Sequence, residues 1–279
     1  MFNRTLYFFS LGLAVSVPAY GFDFNLQKAL SVAQKAQKAT KTIEEPEEIQ
    51  IGHGIAANLL GASPLLADNK VQQYVNQVGR WLSLQTERPD LPWQFGVLES
   101  SDINAFATPG GTIFITRGLL QKLDNESQLA GVLAHEMTHV LRKHHLAALQ
   151  KAARMDIASD LLGEAIKEKS NSEVLNKAIK AGTEVYARGL DKNDEFEADR
   201  MGIVIATRAG YDPYGLPAVL QMLDAGNAQD SSLALMFKTH PAPRDRLSLL
   251  DKIMSARFDA YTAPTQTDER FISAVTQRN

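Results

Sequence analysis

The sequence predicts a mostly helical α+β domain in which a small antiparallel sheet packs on one central helix. Three observations carry that expectation. Apolar residues recur at helical spacing along most of the chain. Short β-rich runs are confined to the stretch from Trp93 to Thr116. The most apolar helical run, around Leu129 to Leu141, holds His135-Glu136-Met137-Thr138-His139 at its centre. With 279 residues, 44% hydrophobic and 22% charged, the chain can bury a core of good size.

Taken in order, residues 1–21 place Arg4 before the apolar run Leu6 to Val15, followed by small residues near Ala19 and Gly21. This is a secretory signal pattern, and the run is too short for a ~20-residue membrane span. A weak polar helix over 24–41 extends the front of a single domain expected over 22–260. Pro46, inside Glu44-Glu45-Pro46-Glu47-Glu48, suits the first turn of a helix through Ile49, Ile55 and Leu59. Asp68 caps the next, which carries Val71, Tyr74, Val75, Val78, Trp81 and Leu82.

Trp93–Leu98, Ile103–Ala107 and Thr112–Thr116 read as the strands, with Pro109-Gly110-Gly111 turning between two of them. Asn125 with Gln128 resembles a capping box opening the central helix. From 144 to 190 the composition is Ala-, Lys- and Glu-rich, with a break near 169–172, and the adjacent His144-His145 reads as a solvated helix end. Helices follow over Asn193 to about Gly210, Leu216 to Leu223 and Arg244 to Ile253, with His240-Pro241-Ala242-Pro243 as a breaker. Residues 261–279 read as a polar, loosely ordered tail.

Net charge is −3, which argues against a nucleic-acid-binding surface. The absence of cysteine excludes disulfides, thiolate ligands, a cysteine nucleophile and a lipid anchor on cysteine. No stretch after the signal is long and apolar enough to cross a bilayer.

Residues four apart on a helix lie about 40° apart around its axis, so His135 and His139 can reach one metal ion. Glu136 then stands beside a metal-activated water without being a ligand, as peptide-bond hydrolysis needs. Without cysteine, the third ligand must be another His or a carboxylate. Glu195 and Asp199, one helical turn apart, let one carboxylate bind the metal while the other orients a ligating imidazole. His53 reads as a surface histidine.

His135-Glu136-x-x-His139, Glu195-x-x-x-Asp199 and His240-Pro241 with Arg246 together resemble the gluzincin metallopeptidases, which include the HtpX, Oma and CAAX prenyl proteases. Asn104-Ala105-Phe106-Ala107, Gly110-Gly111 and Asp124 to Ala130 are similar to the periplasmic β-barrel assembly-enhancing branch. The resemblance implies a zincin-like fold, zinc on His135, His139 and Glu195, Glu136 as general base, Asp199 orienting a ligand from behind, and His240 and Arg246 approaching the site. The function it implies is a periplasmic zinc metalloendopeptidase acting on unfolded or misassembled envelope proteins, with the outer-membrane assembly machinery as a candidate partner. The alternative is a latent, chaperone-like zinc-binding protein. That branch carries a tetratricopeptide domain after the peptidase domain, and no 34-residue repeat is visible here. Prenylated substrates are not expected.

Two residues have open roles. Asn104, on an edge strand, either holds a substrate backbone or satisfies a turn. His240, kept extended by Pro241, either donates to the oxyanion with Arg246 nearby, fills the open metal position as a latch, or serves only as a cap.

Overall fold

The computed structural model describes residues 43–160, 189–226, 230–240, 243–254, 258 and 266–275. The signal segment 1–21, the helix expected over 24–41, the break near 169–172 and Pro241 lie outside these residues.

Pro46 stands in the first turn of α1 (Glu45–Ala62), where a missing N–H costs nothing. Asp68 caps α2 (Asn69–Ser83) by accepting from the backbone N–H groups of Lys70 and Val71. One face of α2, through Val71, Val75, Val78 and Leu82, is buried. Strands β1 (Gln94–Leu98), β2 (Ala105–Thr108) and β3 (Thr112–Thr116) follow, then the single turn α3 (Arg117–Leu120).

The sheet corrects one expectation, because it is mixed rather than antiparallel. Its order is β1-β3-β2, with β1 parallel to β3 and β2 antiparallel to it. Residues 99–104 carry the chain past the place where β3 will lie, so the β2–β3 hairpin returns β3 between the two earlier strands. Strand β2 is thereby left at an edge of the sheet.

Helix α4 (Glu126–Leu141) is buried along its whole length. Asn125 caps it by accepting from Gln128 N–H, while the Gln128 side chain returns to Asp124 N–H, one residue earlier than a capping box requires. Helices α2, α6 (Lys192–Arg208), α7 (Gly215–Ala225) and α10 (Gln266–Val275) pack on it, as do β2 and β3. Glycines permit the closest approaches. A Cβ on Gly131 would lie 2.7 Å from Leu216 N, and one on Gly202 would lie 2.9 Å from His135 N.

Lys143, in the left-handed region at φ 57°, ends α4 and redirects the chain into α5 (His144–Asp160). Its Nζ lies 3.1 Å from buried Glu48 on α1, which also receives Arg88 at 2.9 Å. The chain then runs through α8 (Ala234–Thr239) and α9 (Pro243–Met254). The expected loose tail is corrected in part: α10 buries Phe271 in the main core, and its Arg270 donates to buried Glu126 at the start of α4. Burying that ring contributes about 2–3 kcal/mol to docking the helix, and Val275 packs on the same core. Among the described residues, no helix is long and apolar enough to cross a membrane.

Candidate metal centre

One turn of α4 presents His135 and His139 on the same face, with their Nε2 atoms 3.1 Å apart. From α6, Glu195 brings its carboxylate to 3.6 Å from both nitrogens. Gly202, two turns further along α6, lets the two helices approach this closely. His240, at the end of α8, adds a third ring: its Nδ1 lies 3.0 Å from Glu195 Oε2. The ligand-capable atoms of His135, His139, Glu195 and His240 all lie within 4.8 Å of one another, and all four residues are buried.

Three imidazoles and a carboxylate, converging in a dry interior, form a donor set that fits a metal ion. Burial and the surrounding rings of His135, His145, His240 and His144 push the His139 pKa well below its ordinary value, which keeps it in the neutral form that ligates. Burial alone would raise the Glu195 carboxyl, but His240, Arg246 and His135 hold it at about 2. It is therefore charged and able to ligate. Burial also opposes charge on His240, yet Glu195 and Glu136 outweigh it and raise the ring's pKa.

Behind this group, Arg246 of α9 donates from Nε to Asp199 Oδ2 at 2.7 Å and from Nη2 to Oδ1. Asp199 Oδ1 in turn stands 3.0 Å from His135 Nδ1, and Arg246 Nη1 stands 3.3 Å from Glu195. The buried guanidinium thus fixes two carboxylates at once, and holds the Asp199 carboxyl below the usual range against the opposing effect of burial.

Glu136 faces the other way, into a cleft bounded by Ala105, Phe106 and Ala107 of β2 and by Thr239 and His240. Burial raises its carboxyl pKa, with His240 and His135 pulling it back in part. Strand β2 is an edge strand of the three-stranded sheet. Asn104 precedes β2 and is fully buried; its Oδ1 accepts from Ala105 N–H and lies 3.5 Å from Thr239 Oγ1. It is not part of the cleft lining.

The structure thus brings His135, Glu136, His139, Glu195, Asp199, His240 and Arg246 together, and sets Asn104 at the head of the edge strand. It corrects the reading of His144-His145 as a solvated helix end, since both are buried. His144 Nδ1 is 2.9 Å from His139 Nδ1, and His145 stacks edge-on to His139 and lines the cleft. Burial and the imidazoles of His240 and His144 lower the His145 pKa to about 3. A continuous helix would have carried these residues away from His139, but the left-handed Lys143 folds them back. Glu197 lies beside His144 rather than among the converging ligand atoms. His53 is exposed, as expected.

Residues 69–254 match Peptidase family M48. The chain is 32% identical over 217 residues to the β-barrel assembly-enhancing protease of Escherichia coli strain K12, covering 75% of this chain and 44% of that protein. The Yersinia pestis protease of the same name is 31% identical over 216 residues, with the same coverage. The mitochondrial metalloendopeptidase OMA1 of Schizosaccharomyces pombe is 25% identical over 179 residues, covering 64% of this chain and 52% of that protein. The chain spans about half the length of these relatives. By this match, and by its likeness to these proteases, the chain belongs to peptidase family M48.

Proposed function

We propose that this chain is a zinc-dependent metalloendopeptidase, exported to the periplasm, that hydrolyses unfolded or misassembled envelope proteins. The observation that carries the chemistry is the convergence of buried His135, His139 and Glu195 beside a fourth group, Glu136, that lines a cleft bordered by β2. Two nitrogens and one carboxylate leave a zinc position open for reaction. Zinc held there supplies a Lewis acid for the scissile carbonyl and activates water for attack. Glu136 is placed to take a proton from an attacking water and to return it to the leaving nitrogen, and its burial-raised pKa suits both transfers. A substrate lying in the cleft would pass beside Ala105, Phe106 and Ala107 of β2. Asn104 serves this indirectly, by fixing the first residue of that strand. Asp199 orients His135, and Arg246 holds Asp199 and Glu195 in place.

The names of the bacterial relatives support an envelope substrate, and the pattern of residues 1–21 supports export. The outer-membrane assembly machinery is the partner those names suggest.

His240 favours a second reading of the conformation described, because its ring sits against Glu195 within the ligand cluster. With a metal bound, His240 would then occupy the position otherwise open to water, and the enzyme would be latent. Release of His240 frees its ring to donate to the oxyanion during catalysis.

Purified protein should contain zinc and digest casein, and a chelator should stop the digestion. Glu195→Ala should lose zinc, while Glu197→Ala should weaken its binding far less. The reverse pattern would show that the wrong carboxylate has been assigned.

A further inference from the structure

An imidazole that binds a metal through one nitrogen keeps a proton on the other, and in a buried site that N–H needs an acceptor. His135 meets this need with Asp199, 3.0 Å from its Nδ1. Among the described residues, no carboxylate takes that position on His139. Its Nε2 faces His135 and Glu195, and its Nδ1 faces His144 Nδ1 at 2.9 Å.

With a metal on His139 Nε2, that contact would fix the tautomers of both rings. Two nitrogens at hydrogen-bond distance share one proton between them. Were His144 the donor, His139 Nδ1 would be the acceptor, and the proton of the neutral His139 ring would sit on Nε2, where it blocks ligation. His139 Nδ1–H must therefore donate, and His144 Nδ1 must accept. The proton of His144 then lies on Nε2, which points to Glu197 Oε2 at 3.4 Å and Asp194 Oδ1 at 3.7 Å. Glu197 is held from its other side by Arg142 Nε at 3.1 Å.

We propose that His144 is a positioning residue for the metal centre: it accepts from His139 Nδ1–H, passes the polarisation to Glu197, and so fixes the ligating tautomer and raises the basicity of His139. The two ligand histidines are then supported in different ways, His135 by Asp199 and Arg246 directly, His139 through a second imidazole. The left-handed turn at Lys143 is what places His144 there. This inference rests on His139 being a zinc ligand.

The test compares Zn²⁺ affinities, by competition with a chromogenic chelator, for the parent, His139→Ala, His144→Leu and His144→Asn. His144→Leu fills similar volume without an acceptor and should bind zinc about 10–100-fold more weakly. His144→Asn places a carbonyl oxygen where Nδ1 stood and should recover most of that loss. Parent-like affinity in His144→Leu, or an equal loss in both His144 variants, overturns the relay. Parent-like affinity in His139→Ala overturns instead the metal reading beneath it. A second measurement needs no variant. In zinc-loaded protein with ¹⁵N-labelled histidine, His139 should carry its proton on Nδ1 and His144 on Nε2. A proton on His144 Nδ1 overturns the proposal even if the leucine variant fails to fold.

Discussion

Gly202→Ala is a one-methyl change distant in sequence from every candidate ligand on α4, and it should weaken the metal centre. A Cβ built at Gly202 meets His135 N at 2.9 Å and His135 Cα at 3.0 Å, whereas ordinary contact begins near 3.4 Å. These are backbone atoms of α4, so no side chain can rotate aside. Helix α6 must instead retreat by roughly 0.5 Å, carrying Glu195 and Asp199 with it, while metal–ligand distances tolerate only about 0.2 Å. Helix propensity favours alanine by about 1 kcal/mol, and overpacking costs about 1–3 kcal/mol, so the metal-free protein should lose about 1 kcal/mol. Zinc binding draws α6 back and restores the clash, which lowers affinity about tenfold or more. Urea unfolding of the metal-free protein and chelator competition measure the two effects. Gly61→Ala is the control: its Cβ meets nothing within 4 Å, and the substitution should stabilise α1 by up to about 1 kcal/mol without changing zinc affinity. If Gly202→Ala behaves like Gly61→Ala, α6 is not held against His135 and the argument fails.

His240→Ala should raise basal casein digestion, because it removes the ring that fills the open position; a fall of about 10²–10³ in kcat with zinc affinity unchanged would show instead that its main role is oxyanion donation. Glu48→Gln should flatten the acid dependence of stability. Burial would raise this carboxyl, but Arg88 and Lys143 hold its pKa below the ordinary 4.5. A lowered folded pKa gives stability that is present above pH 4.5 and lost as pH falls through the folded value, so parent and variant urea midpoints should converge below that range. Curves that stay parallel across it would remove Glu48 as the cause.

What the sequence made legible was local. The caps at Asp68 and Asn125, the α2 stripe and the ligand spacing on α4 depend on neighbours within one helical turn, and so did the pairing of Glu195 with Asp199. What it hid depends on contacts distant in sequence. Short β-rich runs show which residues extend but not which strands pair, so the parallel β1–β3 ladder was missed. His144 was misread because its position depends on the backbone of Lys143, a residue type that seldom adopts φ 57°. Helix α10 was missed because its start is polar and its docking depends on Phe271 reaching a core built from residues distant in sequence. Gly202 gave no signal in a single sequence, since its role is an absence of atoms against α4.

In the proposed mechanism Glu136 acts as the proton acceptor beside the metal without binding it. Glu136→Gln changes one oxygen to an amide and leaves His135, His139 and Glu195 untouched. Zinc content and casein digestion should be measured on the same preparation of parent and variant. Zinc content should match the parent while digestion is abolished, and a zinc-loaded Glu136→Gln protein that still digests casein would exclude Glu136 as the general base.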